Sequence, residues 1–169
     1  MSDKIFIRKA VSDDFDAVMQ IYAEARNFMK SARNPDQWGD NYPPADLIRQ
    51  DLSEDGGGYV ATDGVSIFAI FYFSINASDP EYVGITDGKW LNSLPYAVVH
   101  RIAIGKNARG KGIGRLCLKW ALDSYPNLKI DTHKSNLPMQ RLLKSLGFIH
   151  CGSVYLADGS HRMAFQYAK

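Results

Sequence analysis

Cysteine is nearly absent: the 169 residues hold two, Cys117 and Cys151. Two thiols without framework spacing exclude a disulfide-stapled secreted fold and point to a reducing compartment. Long apolar runs are missing too, and the longest, residues 67–73, is far too short to cross a bilayer. Residues 1–9 lack the apolar stretch of a secretory leader, so the expected location is the cytoplasm. No repeat, low-complexity tract or linker interrupts the chain, which leaves a single domain over 1–169. A large net charge is also absent, with 20 Lys and Arg against 18 Asp and Glu. At 46% hydrophobic and 22% charged residues, a disordered, collagen-like or coiled-coil chain is ruled out.

The small net charge hides a shortage of acids in the second half. Residues 1–99 carry 15 acids and 8 bases, whereas residues 100–169 carry 3 acids and 12 bases. Such a split marks either an anion site confined to one half or a solvated basic face.

Apolar spacing gives the elements. A strand at 5–7 leads through Ser12, Asp13 and Asp14, an N-cap signal, into a helix with Phe15, Val18, Met19 and Tyr22 on one face, running towards Met29. A proline-bracketed loop then holds Trp38 and Tyr42, and a short helix over 44–52 stops at Gly56, Gly57 and Gly58. Asp63-Gly64 predicts a hairpin between strands 59–61 and 65–75, the second apolar on both faces and therefore central. Residues 76–95 make a connection long enough to be functional or disordered. Strand 96–104 follows, then a glycine-rich turn and a helix with Ile113, Leu116, Cys117, Trp120 and Ala121 in one stripe. Strand 128–131, a helix from Pro138 to Gly147 and a hairpin of 151–156 with 161–167 complete the chain. The order β-α-α-β-β-β-α-β-α-β-β predicts an α/β (α+β) fold, with about seven strands in a mixed central sheet and four helices.

Arg109-Gly110-Lys111-Gly112-Ile113-Gly114-Arg115 falls between a predicted strand and a predicted helix. A helix start leaves main-chain N–H groups unsatisfied and presents the positive end of the helix dipole. Glycines admit close approach, and three basic side chains add charge-assisted hydrogen bonds, a combination that suits a diphosphate. Gly105, Gly110 and Lys111 meet the spacing of an ATPase P-loop, but Gly112 stands where Ser or Thr must hold magnesium. A dinucleotide fingerprint lacks its third glycine. The pattern that fits is Arg109-x-x-Gly112-x-Gly114, which is similar to an acetyl-CoA-binding turn of the form Arg/Gln-x-x-Gly-x-Gly/Ala.

With that turn the chain resembles the GNAT superfamily of N-acetyltransferases. The resemblance runs from His100-Arg101-Ile102-Ala103-Ile104 through the turn and its helix to Asn136. It continues in Arg141-Leu142-Leu143-Lys144-Ser145-Leu146-Gly147-Phe148, similar to the family's helix ending in Leu-Gly-Phe. It implies acetyl-CoA as cofactor, with the main chains of Ile102 and Ile104 along the pantetheine arm. It also implies amides of Arg109, Gly110, Lys111, Gly112, Ile113 and Gly114 around the diphosphate. Asn136 either meets the cofactor or caps the last helix.

The implied reaction is direct attack on the thioester by a primary amine of a small molecule or peptide. The alternative is a non-catalytic or degenerate CoA-binding module. A lysine-like amine must first lose a proton, at a cost of roughly 4.6 kcal/mol at pH 7. His100 beside the cofactor strand is the candidate base, against a competing reading as a packed core histidine. Many relatives carry a tyrosine as general acid where this chain has Leu143. Either another group such as Tyr155 serves, or the thiolate leaves unprotonated.

Loop aromatics Trp38, Tyr82 and Trp90, among Asp36, Asp40, Asp79, Glu81 and Asp87, are the candidate walls of a site for a cationic amine. Asp131 and His133 share a strand face but lack a third ligand, so no metal is expected. Neither nucleic acid nor membrane is an expected partner; a second copy of the chain remains an option.

Overall fold

The computed structural model describes residues 4–169, among which lie seven strands and five α-helices. In chain order they are β1 (Phe6–Lys9), α1 (Phe15–Ser31), α2 (Ala45–Asp51), β2 (Gly58–Thr62), β3 (Ile67–Ser74) and α3 (Pro80–Val83). There follow β4 (Ala97–Ile104), α4 (Ile113–Ser124), β5 (Asn127–Thr132), α5 (Leu137–Ser145), β6 (Ile149–Tyr155) and β7 (His161–Ala168). The strands form one sheet in the order β1-β2-β3-β4-β5-β7-β6. Only β4 and β5 run parallel.

Alternation along the strands sends successive side chains to opposite faces. Phe71, Phe73, Val99 and Phe165 point one way and pack under Cys117 and Leu118 of α4 and Leu143 of α5. Val60, Ile70 and Ala103 point the other way, against Val18, Ile21 and Tyr22 of α1 and Ile48 of α2. On that second face, Tyr82 packs with Val98, Val154 and Ala164. Trp120, expected in the buried stripe of α4, closes an aromatic group with Tyr59, Phe71 and Phe73.

The sheet and its topology match the expected class, with one added helix. α3 sits inside the connection 76–95, started by Pro80 at its first position, where the fixed φ suits a helix and no N–H is lost. Nor is the connection loose. The Trp90 indole N–H donates to the Tyr82 carbonyl at 2.8 Å, and the Leu91 N–H donates to Oε1 of the fully buried Gln166 at 2.8 Å. Thr86 forms a bridge with Ser153 of β6. Next to it Gly88 lies so close that a Cβ there would run into the carbonyl oxygen of Cys151. Gly88→Ala is therefore expected to destabilise the fold by about 1–3 kcal/mol, or roughly 2–4 °C of Tm per kcal/mol. Gly84→Ala, where a Cβ meets open space, should change stability by less than about 0.5 kcal/mol. Calorimetric melting of the two variants checks the contrast.

Candidate active site

β4 and β5 are joined by only two register pairs, Ala97↔Leu128 and Val98↔Lys129. Beyond them the strands separate, so main-chain groups of β4 from Val99 onward face no partner strand on that side. A bulge accompanies the parting. Against β3, Tyr72 pairs with His100 and Ile70 with Ala103, so β4 holds one extra residue. Arg101 takes up the slack with φ +52°, a left-handed conformation that a side-chain-bearing residue adopts only when its surroundings enforce it.

Those surroundings are specific. The Arg101 carbonyl accepts a 2.8 Å hydrogen bond from the Tyr22 hydroxyl of α1. Its guanidinium donates two 2.9 Å bonds to the carboxylate of Asp51 at the end of α2 and lies 4.6 Å over the Tyr72 ring. Asp51 is buried and the Arg101 side chain is 12% exposed. Burial drives the Tyr22 phenol well above its ordinary range, keeping it a donor.

The parting opens a cavity of about 670 Å³. Val99, His100 and Ile102 line it from β4, Ile130, Asp131 and Thr132 from β5, and Asn136 and Met139 from the start of α5. Trp38 and Tyr42 of the loop after α1 form another wall. His100 lies between the rings of Tyr72 and Tyr82, each with its centroid 6.0 Å away. Its Nε2 is 3.3 Å from Asp79 Oδ1. A carboxylate only accepts, so Nε2 carries the proton in that contact and Nδ1 holds the basic lone pair. The other oxygen of Asp79 is buried without a partner.

Past β4 the glycine turn delivers the chain into α4. Gly110 and Gly112 both have positive φ, +73° and +79°, and Gly112 is the N-cap of the helix. None of the N–H groups of residues 109–115 finds an acceptor among the described residues; main-chain bonding resumes with Leu116 N–H to the Gly112 carbonyl. Arg109 folds back, donating to the Glu24 carbonyl at 2.9 Å and lying 4.3 Å over the Phe28 ring. Lys111 is exposed. Gly114 lets α4 approach α5, since a Cβ there would sit 3.2 Å from Leu142.

Asn136 caps α5, accepting from the Met139 N–H at 3.2 Å and donating to Gln37 Oε1 at 3.0 Å, while lining the cavity. Trp38 lines the cavity, edge-on to Tyr22. Tyr82 and Trp90 are not among its walls. Folding of 80–83 into α3 buries Tyr82, whose hydroxyl donates to Asp131 Oδ2 at 2.7 Å, and Trp90 shields Lys129 with Tyr96. Leu143 is wholly buried, and Tyr155 lies exposed against His161 and is not among the cavity walls. His133 turns from Asp131, its Nδ1 accepting from the Ser135 N–H. Among the described residues no cluster of His, Cys, Asp or Glu could hold a metal, and no helix is long and apolar enough to cross a membrane.

Residue spacing had not revealed Asp79 beside His100, the Tyr22–Arg101–Asp51 clamp, or Asp131 as a cavity wall. A sheet opened between two parallel strands, with a glycine-started helix following the inner one, is the frame of an acyl-transferring enzyme in the chains this one matches, and the class is acetyltransferase. The chain belongs to the acetyltransferase (GNAT) family, whose model matches residues 17–148. It is similar to a GNAT-family acetyltransferase from Streptococcus agalactiae 2603, at 30% identity and a TM-score of 0.88 over 98% of this chain and 95% of that one. A GNAT-family structure from Bacillus cereus ATCC 10987 shares the fold, at 20% identity and a TM-score of 0.67 over 98% of each chain. So does the ribosomal-protein-S18-alanine N-acetyltransferase from Escherichia coli, at 15% identity and a TM-score of 0.65 over 97% of this chain and 93% of that one. No curated protein matches the chain. Acetyl-CoA is the general cofactor of the family.

Proposed function

We propose that this protein transfers an acetyl group from acetyl-CoA directly to a primary amine of a small molecule or peptide. The observation that carries the reading is the parting of β4 and β5 beside the His100–Asp79 pair, over a cavity of ligand-binding size that the parted strands themselves line. The residues present suit the cofactor. Unpaired main chain at Ile102 and Ile104 would hold an amide-bearing arm, and the free N–H groups of 109–114 with exposed Lys111 would hold a diphosphate. When bound, acetyl-CoA supplies the acetyl group as an activated thioester.

His100 accepts the proton that the ammonium must lose, with Asp79 holding the ring by Nε2 and supporting the positive charge it gains. Direct transfer is favoured because the cavity walls offer no cysteine, serine or lysine, and the hydroxyl of Thr132 is buried with no base bonded to it. Cys117, buried in the core, has a thiol pushed up to about 12 by desolvation. The buried Leu143 is the one feature that favours the alternative, a CoA-binding module without turnover.

Thermal melting tests the cofactor half. Acetyl-CoA at a hundred times its Kd should stabilise the protein by about 2.7 kcal/mol, raising Tm by roughly 5–11 °C. No shift at saturating cofactor overturns the reading, and a shift without turnover on any amine favours the module.

A further inference from the structure

The face of the cleft that holds His100 holds a second anionic position. Val98 and Lys129 pair, and two residues further along each strand stand His100 and Asp131, on the same face of the sheet. Tyr82 connects them: its ring centroid is 6.0 Å from that of His100, and its hydroxyl donates to Asp131 Oδ2 at 2.7 Å. Burial and the negative charges of Asp131, Asp79 and Glu81 push the Tyr82 phenol upward, so it stays a neutral donor. Asp131 Oδ1, by contrast, has no hydrogen-bond donor. The nearest cation is Arg162, with Nε 3.9 Å away, and two of its other N–H groups serve the His161 and Gln37 carbonyls.

The cavity is short of positive charge. Asp36, Asp79, Glu81, Asp131 and Asp158 line it against two guanidiniums, and that of Arg101 is already neutralised by Asp51. A buried polar atom also lacks a partner beside His100: one carboxylate oxygen of Asp79, which lines the same cavity, has no hydrogen bond within the described chain. Buried polar atoms are normally paired, so this oxygen calls for a donor from a guest. A monoamine reacting at His100 would leave the Asp131 end unmatched.

We infer that the acceptor is a dication of the α,ω-diamine type, its reacting amine at His100 and its second ammonium on the free oxygen of Asp131. The inference rests on the acetyltransferase reading and adds a specificity-determining residue to it. The two positions face each other across strands that lie about 4.8 Å apart where paired and wider beyond, which suits chains of three or more carbons.

The test compares 1,4-diaminobutane with n-butylamine as acceptors for the wild-type protein and for Asp131→Asn. Wild type should prefer the diamine by at least about tenfold in kcat/KM. Asp131→Asn should lose about 10- to 100-fold on the diamine and bring it level with n-butylamine. Should Asp131→Asn fold poorly beside Arg162, Tyr82→Phe removes the hydroxyl that orients the carboxylate and should narrow the preference. Calorimetric titration of the diamine into protein saturated with CoA reads the same site without turnover. Equal use of both amines by wild type, or an undiminished preference in folded Asp131→Asn, overturns the dication alone. A protein that neither binds acetyl-CoA nor acetylates either amine overturns the acetyltransferase reading with it.

Discussion

His100→Ala is expected to lower kcat/KM for the amine by about 10²–10⁴ while leaving acetyl-CoA affinity unchanged. The amine arrives protonated, and without a base in the cleft the reaction must draw on its small neutral fraction, roughly 4.6 kcal/mol uphill at pH 7. The loss should therefore shrink as the buffer becomes more alkaline. In His100→Ala the rate should climb by about tenfold per pH unit up to the amine's own pKa. Asp79→Asn keeps a hydrogen-bonding partner at Nε2 but removes the charge that supports a protonated imidazole, so it should fall between wild type and His100→Ala. Steady-state rates from pH 6 to 10, with acetyl-CoA affinity measured separately, decide the matter. A His100→Ala rate within about threefold of wild type at pH 7 would falsify the assignment of the base.

Asp51→Ala should be the most damaging single change away from the cavity floor. It strands the largely buried Arg101 guanidinium without its carboxylate, and breaking a buried pair by removing one partner costs about 3–5 kcal/mol. At this chain length that is roughly 6–20 °C of Tm. Activity should fall as well, because the same guanidinium restrains the left-handed residue that shapes the bulge. The double change Asp51→Leu with Arg101→Met separates the two effects. Replacing both charges with apolar groups of similar volume is often neutral for stability, so melting should recover substantially. Turnover should not, since nothing then ties Arg101's place in β4 to α2. An Asp51→Ala protein that melts within about 1 kcal/mol of wild type, or a double variant with full turnover, contradicts this account.

What could be read along the chain was what is built locally. The glycine turn, the stripe of α4 and the Leu-Gly-Phe end of α5 lie within single stretches, and the corresponding elements appear within a residue or two of their expected ends. The bulge is different in kind. Its clamp joins Tyr22 to a residue 79 positions away and Asp51 to one 50 away, and no local spacing announces such contacts. Asp79-Pro80 is a pair that can open either a turn or a helix; the packing of Tyr82 on β4 and β6 selects the helix. Trp90 was expected in a cavity wall because it lay in a connection, yet position in a connection says nothing of burial. The buried Gln166, far along the chain, pulls its neighbour Leu91 onto the sheet.

The two register pairs between β4 and β5 have a mechanical meaning. β1 to β4 form one plate and β5 to β7 another, and the only rungs across the joint lie at one end of it. Main-chain bonding across the joint is thus confined to its closed end, and beyond it the two plates are held together by the core under α4 and α5. A guest bonded to both lips would supply the missing rungs and turn two plates into one stiff body.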